Sequence, residues 1–106
     1  MPVTRASEVP STDFEGGTRL QVLATPANGA AENTLLRGLV PAGANFPPHS
    51  HDREEVLLFA AGSCSYTIGG ESGVVSAGDV VVIPAGVLHA FEAVEDTDAI
   101  SEMSLG

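Results

Sequence analysis

The stretch from Gly43 to Gly62, GANFPPHSHDREEVLLFAAG, holds two of the three histidines in the chain and runs into an apolar segment. His49 and His51 are separated by one residue, so on a β-strand both imidazoles lie on the same face. Two imidazoles held this closely each need a partner for a ring nitrogen, and one divalent cation accepts a lone pair from both. Glu55 has the same parity and adds an oxygen ligand, whereas Glu54 faces the other way unless a bulge at Asp52-Arg53 exchanges the two. The stretch therefore predicts a metal site at the start of a strand.

The third histidine lies in a second stretch, GDVVVIPAGVLHAFEA, from Gly78 to Ala93. Pro84 and Gly86 are typical of the end of a strand and a turn, after which His89 opens the next strand. A closed β-structure can bring such distant strand ends together.

The rest of the chain favours an all-β fold. Short runs rich in Val, Leu and Ile are separated by turns, with 12 glycines and 7 prolines among the 106 residues. This pattern is typical of a β-sandwich or barrel, and no window carries a sustained helical period. Residues 1–17 are polar and are predicted as an N-terminal arm, followed by one barrel domain over residues 18–106.

Composition excludes several classes of function. The formal charge is −10, with four arginines and no lysine. Nucleic acid and anionic membrane surfaces are therefore not expected partners, and lysine Schiff-base chemistry and a Walker-type phosphate loop are excluded. Cys64 is the only cysteine and is interpreted as a small buried core residue. The lone thiol, and an N-terminus without the apolar region of a signal peptide, predict a cytoplasmic protein.

The first stretch resembles a known motif. It reads Gly43, five residues, His49, one residue, His51, three residues, Glu55, six residues, Gly62. This is similar to the first conserved motif of the cupin family.

The second stretch resembles the second cupin motif. It reads Gly78, five residues, Pro84, one residue, Gly86, two residues, His89. Ala93 stands where the family has Asn, which is not a ligand, so this departure leaves the expected metal site intact. The two motifs and the short spacer between them cover about half the chain, as in small single-domain cupins (monocupins).

The resemblance implies an antiparallel jelly-roll β-barrel that holds one metal ion. The implied ligands are His49, His51, Glu55 and His89. Neutral nitrogen donors with one carboxylate suit Fe, Mn, Ni, Cu, Co and Zn alike, so the cofactor is predicted only as one divalent first-row transition metal ion. A homodimer is predicted because small jelly rolls leave sheet edges exposed.

The strand pattern also suggests a substrate pocket. The predicted lining residues are Phe46, Leu57, Phe59, Tyr66 and Phe91, which suit a small, partly apolar substrate such as a phenol or diketone. Tyr66 is a candidate catalytic residue, although a core tyrosine is the commoner case. Arg37 is interpreted as the outward residue of an edge strand; the alternative is a contact with a substrate carboxylate.

Three functions stay open. A metal-dependent dioxygenase is favoured, because few inward groups can transfer protons: Tyr66, Glu55, and Glu92 or Glu102 if the strand parity is reversed. The alternatives are an isomerase or cyclase that uses the metal as a Lewis acid, and a non-catalytic module that binds a small molecule.

Overall fold

The computed structural model describes residues 3–105, which form ten β-strands and three short 3-10 turns. The strands are β1 (Thr12–Asp13), β2 (Arg19–Ala24), β3 (Asn33–Val40), β4 (Asn45–His49), β5 (Glu55–Ala61), β6 (Ser63–Ile68), β7 (Glu71–Ser76), β8 (Val80–Ile83), β9 (His89–Ala93) and β10 (Thr97–Ser104). The 3-10 turns are Ala6–Glu8, Glu15–Gly17 and Pro26–Asn28. No helix within residues 3–105 is long and apolar enough to cross a bilayer.

The strands form two antiparallel sheets that enclose one core. The six-stranded sheet has the order β1-β2-β3-β10-β5-β8, and the four-stranded sheet has the order β4-β9-β6-β7. Consecutive strands often lie in different sheets, as they do in a jelly roll. The predicted all-β antiparallel jelly roll is confirmed.

Alternation along the strands separates the core from the surface. In β5, Leu57 and Phe59 are buried whereas Leu58 between them is exposed. In β9, Phe91 and Ala93 are buried and the residue between them is exposed. The buried apolar core consists of Val40, Leu57, Phe59, Cys64, Val75, Ile83, Phe91, Ala93 and Ala99. Cys64, at 1% exposure, has the predicted core position.

The glycine that ends the first motif makes the turn between β5 and β6. Gly62 has a φ of 84°, which L side chains rarely adopt. A Cβ at this position would also collide with the carbonyl oxygen of Asp96. The close approach of the two backbones therefore requires glycine.

Residues 3–17 of the segment predicted as an arm lie against the barrel. Strand β1 of this segment pairs with β2, which extends the six-stranded sheet. The side-chain amide of Gln21 donates to the carbonyls of Ala6 and Val9, both at 2.9 Å. The ring of Phe14 packs on Phe46, with 5.2 Å between centroids. The segment therefore adds an aromatic side chain to the barrel.

Arg37 points outward, but its strand is not an edge. β3 lies between β2 and β10, so the edge-strand expectation was wrong. The guanidinium donates to both carboxylate oxygens of Asp98, at 2.9 and 2.7 Å, and to Gln21 at 3.1 Å. The neighbours Leu36 and Gly38 face the interior. Arg37 is therefore held on the outer face of the sheet, away from any interior substrate.

Candidate metal centre

The structure brings the four predicted ligands together. One ligand atom from each of His49, His51, Glu55 and His89 lies within 4.8 Å of the other three. His49 ends β4 and is paired directly with His89, the first residue of β9, while Glu55 opens β5 in the opposite sheet. The cluster therefore bridges the two sheets at one end of the core.

Two of the three imidazoles are oriented by backbone carbonyls. Nδ1 of His49 lies 2.8 Å from the carbonyl of Pro47, and Nδ1 of His89 lies 2.9 Å from that of Val87. A carbonyl oxygen can only accept, so Nδ1 carries the proton in both rings. Each Nε2 then has a free lone pair when the ring is neutral, which is the form that binds a metal.

Nε2 of His89 gives the clearest indication that the cluster suits a metal ion. It is buried and has no hydrogen-bond partner among residues 3–105. The nearest acceptor is Oε1 of Glu55 at 3.3 Å. With the proton on Nδ1, a nitrogen lone pair faces an oxygen lone pair, which is costly in a buried place. A cation between the two atoms removes this conflict, so the residues fit a metal ion.

The carboxylate of Glu55 is positioned from both sides. Oε1 faces the Nε2 atoms of His51 and His89, at 3.7 and 3.3 Å. Oε2 accepts a hydrogen bond from the buried hydroxyl of Ser101, at 2.5 Å. Ser101 therefore holds one oxygen and leaves the other directed at the imidazoles. Sequence reasoning did not identify this residue, because it lies 46 positions after Glu55 and belongs to neither motif.

Among the predicted ligands, His51 is more accessible than Glu55 and His89. Its side chain is 31% exposed, compared with 1% for His89. Burial lowers the pKa of His51, and the nearby Glu55 opposes this effect only in part. His51 is therefore a neutral nitrogen donor at neutral pH, as metal binding requires.

A cavity of about 170 Å³ opens beside the four ligands. Of the predicted pocket residues, Phe46, Leu57 and Phe91 line it. Phe59 lies behind Phe91, with ring centroids 5.7 Å apart, and does not line the cavity. Lining residues that the sequence did not indicate are Phe14, Leu20, Leu36, Gly38, Ala99, Ser101 and Met103.

Tyr66, Glu92 and Glu102, the other predicted candidates for proton transfer, lie outside the cavity. The phenol of Tyr66 is folded over Gly73, and the residue lines a separate depression. Glu92 is exposed. Glu102 alternates with Ser101 and Met103, which line the cavity, and so faces outward. Within residues 3–105, Glu55 is the one carboxylate that lines the cavity, and no phenol does.

A family model and several solved structures match this chain. A family model described as the cupin domain matches residues 36–101. The polyketide cyclase RemF from Streptomyces resistomycificus has a similar structure, with a TM-score of 0.89 and 21% identity over 100% of this chain and 80% of that one.

Two further solved structures are similar. For a predicted oxalate decarboxylase from Thermotoga maritima the TM-score is 0.86, with 21% identity over 98% of this chain and 99% of the other. For KdgF from a Halomonas species the TM-score is 0.85, with 23% identity over 95% of this chain and 90% of the other. At these identities the likeness shows a shared fold.

Proposed function

Because this chain belongs to the cupin family, we propose that it is a metal-dependent dioxygenase that acts on a small, partly apolar substrate, phenolic or diketone-like. The observation that carries the proposal is the cluster of three imidazoles and one carboxylate at the wall of an apolar cavity, with Nε2 of His89 buried and without a partner. The cofactor is proposed as one divalent ion among Fe, Mn, Ni, Cu, Co and Zn.

The side chains that line the cavity favour an oxidation over a reaction that depends on proton transfer. A redox-active ion held by the four ligands would supply open coordination positions for O₂ and for substrate oxygens. The chain itself orients the ligands through Pro47, Val87 and Ser101 and surrounds the substrate with apolar side chains. Apart from the ligand Glu55, no carboxylate or phenol within residues 3–105 lines the cavity as a base.

A second candidate is a cyclase or isomerase in which the ion acts as a Lewis acid. The structural similarity to the polyketide cyclase RemF supports it. In this case Glu55 would have to be both ligand and proton acceptor, because no other carboxylate in residues 3–105 reaches the cavity.

Oxygen uptake separates these functions. The protein would be loaded in turn with each of the six ions and mixed with flavonols and small diketones. Uptake of O₂ that depends on Fe or Cu supports the dioxygenase, whereas exchange of a proton beside a carbonyl without uptake supports the cyclase or isomerase. Binding with neither would show a non-catalytic module. His89→Ala, which removes a ligand, is the matched inactive control.

We also propose that the chain forms a homodimer through the outer face of β5 and β8. Leu58, Val80 and Val82 on this face are 41%, 57% and 55% exposed. With a formal charge of −10, two copies repel each other least where an uncharged surface meets its equivalent. Light scattering at micromolar concentration should give a dimer mass. A cytoplasmic location stays a prediction from the lone cysteine.

The matched variants are Val82→Asp and Val74→Asp. Val74 is 67% exposed and lies on β7 of the other sheet. Only Val82→Asp should produce a monomer, and a monomeric wild-type protein would contradict the proposal.

A further inference from the structure

Within the described residues 3–105, no arginine side chain reaches the cavity. The chain has four arginines and no lysine. Arg37 is bound to Asp98 on the outer face, and Arg53 donates to the carbonyl of Ser104 at the surface. Arg5 and Arg19 are exposed. Within residues 3–105, the polar side chains that line the cavity are the four proposed ligands and Ser101.

The charge that the cavity can neutralise is therefore small. A divalent ion with three neutral imidazoles and the carboxylate of Glu55 has a formal charge of +1. One negative charge on a bound substrate balances it. A second negative charge would be enclosed by Leu20, Leu36 and Phe46 without a partner, and burying an unpaired charge is costly.

The hydroxyl of Ser101 does not change this balance. Its proton is donated to Oε2 of Glu55, so the oxygen that remains can only accept a hydrogen bond. Ser101 therefore offers nothing to a second carboxylate. It suits a substrate hydroxyl or C–H group instead.

We propose, on the basis of the proposed metal site, that the cavity selects small substrates with at most one negative charge, carried by the oxygens that bind the ion, and rejects dianions. The volume of about 170 Å³ is below the range of roughly 300–1,000 Å³ for pockets that hold drug-sized ligands. The substrate thus presents oxygens at one end and apolar groups to the wall.

Acetylacetone and malonate form a matched pair of probes. Both place two oxygens on a three-carbon frame, but malonate is a dianion with a carboxylate oxygen at each of the two positions where acetylacetone has a methyl group. Binding to the Co(II)-loaded protein would be followed without O₂ by visible absorption, and each affinity would be divided by that for free Co(II). Acetylacetone should be favoured by at least about tenfold.

A new cation in the cavity should abolish or reverse the preference for acetylacetone. Leu36→Arg places a guanidinium among the lining residues, whereas Leu35→Arg places one on the outer face of the same strand. Of these two variants, only Leu36→Arg should raise the affinity for malonate, relative to that for free Co(II), to the corresponding value for acetylacetone or above it. Leu20→Arg, at another lining position, carries the same expectation if Leu36→Arg does not fold.

The outcomes separate this inference from the proposed function. If the wild-type protein binds Co(II) but prefers malonate or shows no preference, the charge selection is wrong and the metal site stands. If it binds none of the six divalent ions, both proposals are overturned. The tenfold preference together with its loss in Leu36→Arg alone would support the selection.

Discussion

Two polar clusters share strand β10 but face opposite ways. On the outer face, Asp98 binds Arg37 through two hydrogen bonds of 2.9 and 2.7 Å. On the inner face, Ser101 binds Glu55, whose other oxygen faces the imidazole of His89. The outer pair is complete, because each charged group has its counterpart. The inner cluster has three imidazoles for one carboxylate, and one of its buried nitrogens has no hydrogen-bond partner within residues 3–105. A closed pair stabilises the fold, whereas an open, convergent set of donors is suited to binding.

The protonation states of the two clusters follow the same division. The hydrogen bonds that Arg37 donates to Asp98 raise the pKa of Arg37, so the outer pair stays charged. Burial lowers the pKa of His51, so this imidazole of the inner cluster is held in its neutral form with a free lone pair. Variants of each cluster should therefore affect different measurements.

The largest expected effect is the loss of metal binding in His89→Ala. The variant removes a buried nitrogen donor, and the affinity for a first-row divalent ion should fall by more than about 100-fold, since removal of a mere supporting contact can cost that much. Competition with a chromophoric chelator measures the change. Asp98→Asn, in the outer pair, should bind the ion like the wild type. Equal losses of metal affinity in the two variants would show that the inner and outer clusters do not differ in metal binding.

The next effect is expected for Ser101→Ala, which keeps every ligand but releases Oε2 of Glu55. Metal affinity should fall by about 10–100-fold, and the Co(II) absorption spectrum should change because the carboxylate can rotate. Ser101→Thr, which retains a hydroxyl, should recover part of the affinity. Ser104→Ala, an exposed position on the same strand, is the control. An unchanged spectrum in Ser101→Ala would show that the hydroxyl does not position Glu55.

Ser101 also marks the limit of prediction from the sequence. The ligands could be predicted because His49, His51 and Glu55 lie within seven residues at a spacing that resembles the first cupin motif, and the resemblance to the second motif implies His89. Alternation along one strand does not bring the first three together, because His49 ends β4, His51 follows it and Glu55 opens β5. The all-β class followed from the alternation of apolar residues and from the turn residues. Ser101 and Phe14 reach the site through pairing of β10 with β5 and through packing of the N-terminal segment on Phe46. Such long-range pairing has no local pattern.

Arg37 illustrates the same limit. Its outward direction follows from alternation, but its strand was placed at an edge because strand order cannot be read from one segment. Its partner Asp98 lies 61 positions away. Alternation therefore predicts which face a residue occupies, while the topology decides what it contacts there.

A smaller effect is expected from the outer pair. Asp98→Asn leaves the half-buried guanidinium of Arg37 without its charge partner, so the free energy of unfolding should fall by about 1–2 kcal/mol, between values for exposed and buried pairs. Denaturant unfolding of the metal-free protein measures it. Asp13→Asn breaks the ion pair between Asp13 and Arg19, whose side chains are 87% and 53% exposed, respectively. This variant should lower the free energy of unfolding by less than about 0.5 kcal/mol. Equal costs would show that burial of the outer pair contributes nothing.

The smallest expected effect is a pH dependence of stability that comes from His51 of the inner cluster. Because burial lowers the pKa of His51 from its ordinary value of 6.5, the unfolded chain takes up the proton at higher pH than the folded protein does. The free energy of unfolding of the metal-free protein should therefore fall as the pH drops below 6.5. Above pH 6.5 the contribution of His51 to this free energy should be complete and constant. His51→Gln should flatten this dependence, measured by denaturant unfolding between pH 7.5 and about 5.5. Asp98→Asn should lower the whole curve and keep its slope, because Arg37 remains charged throughout. If His51→Gln retained the full slope, the acid sensitivity would come from groups other than His51.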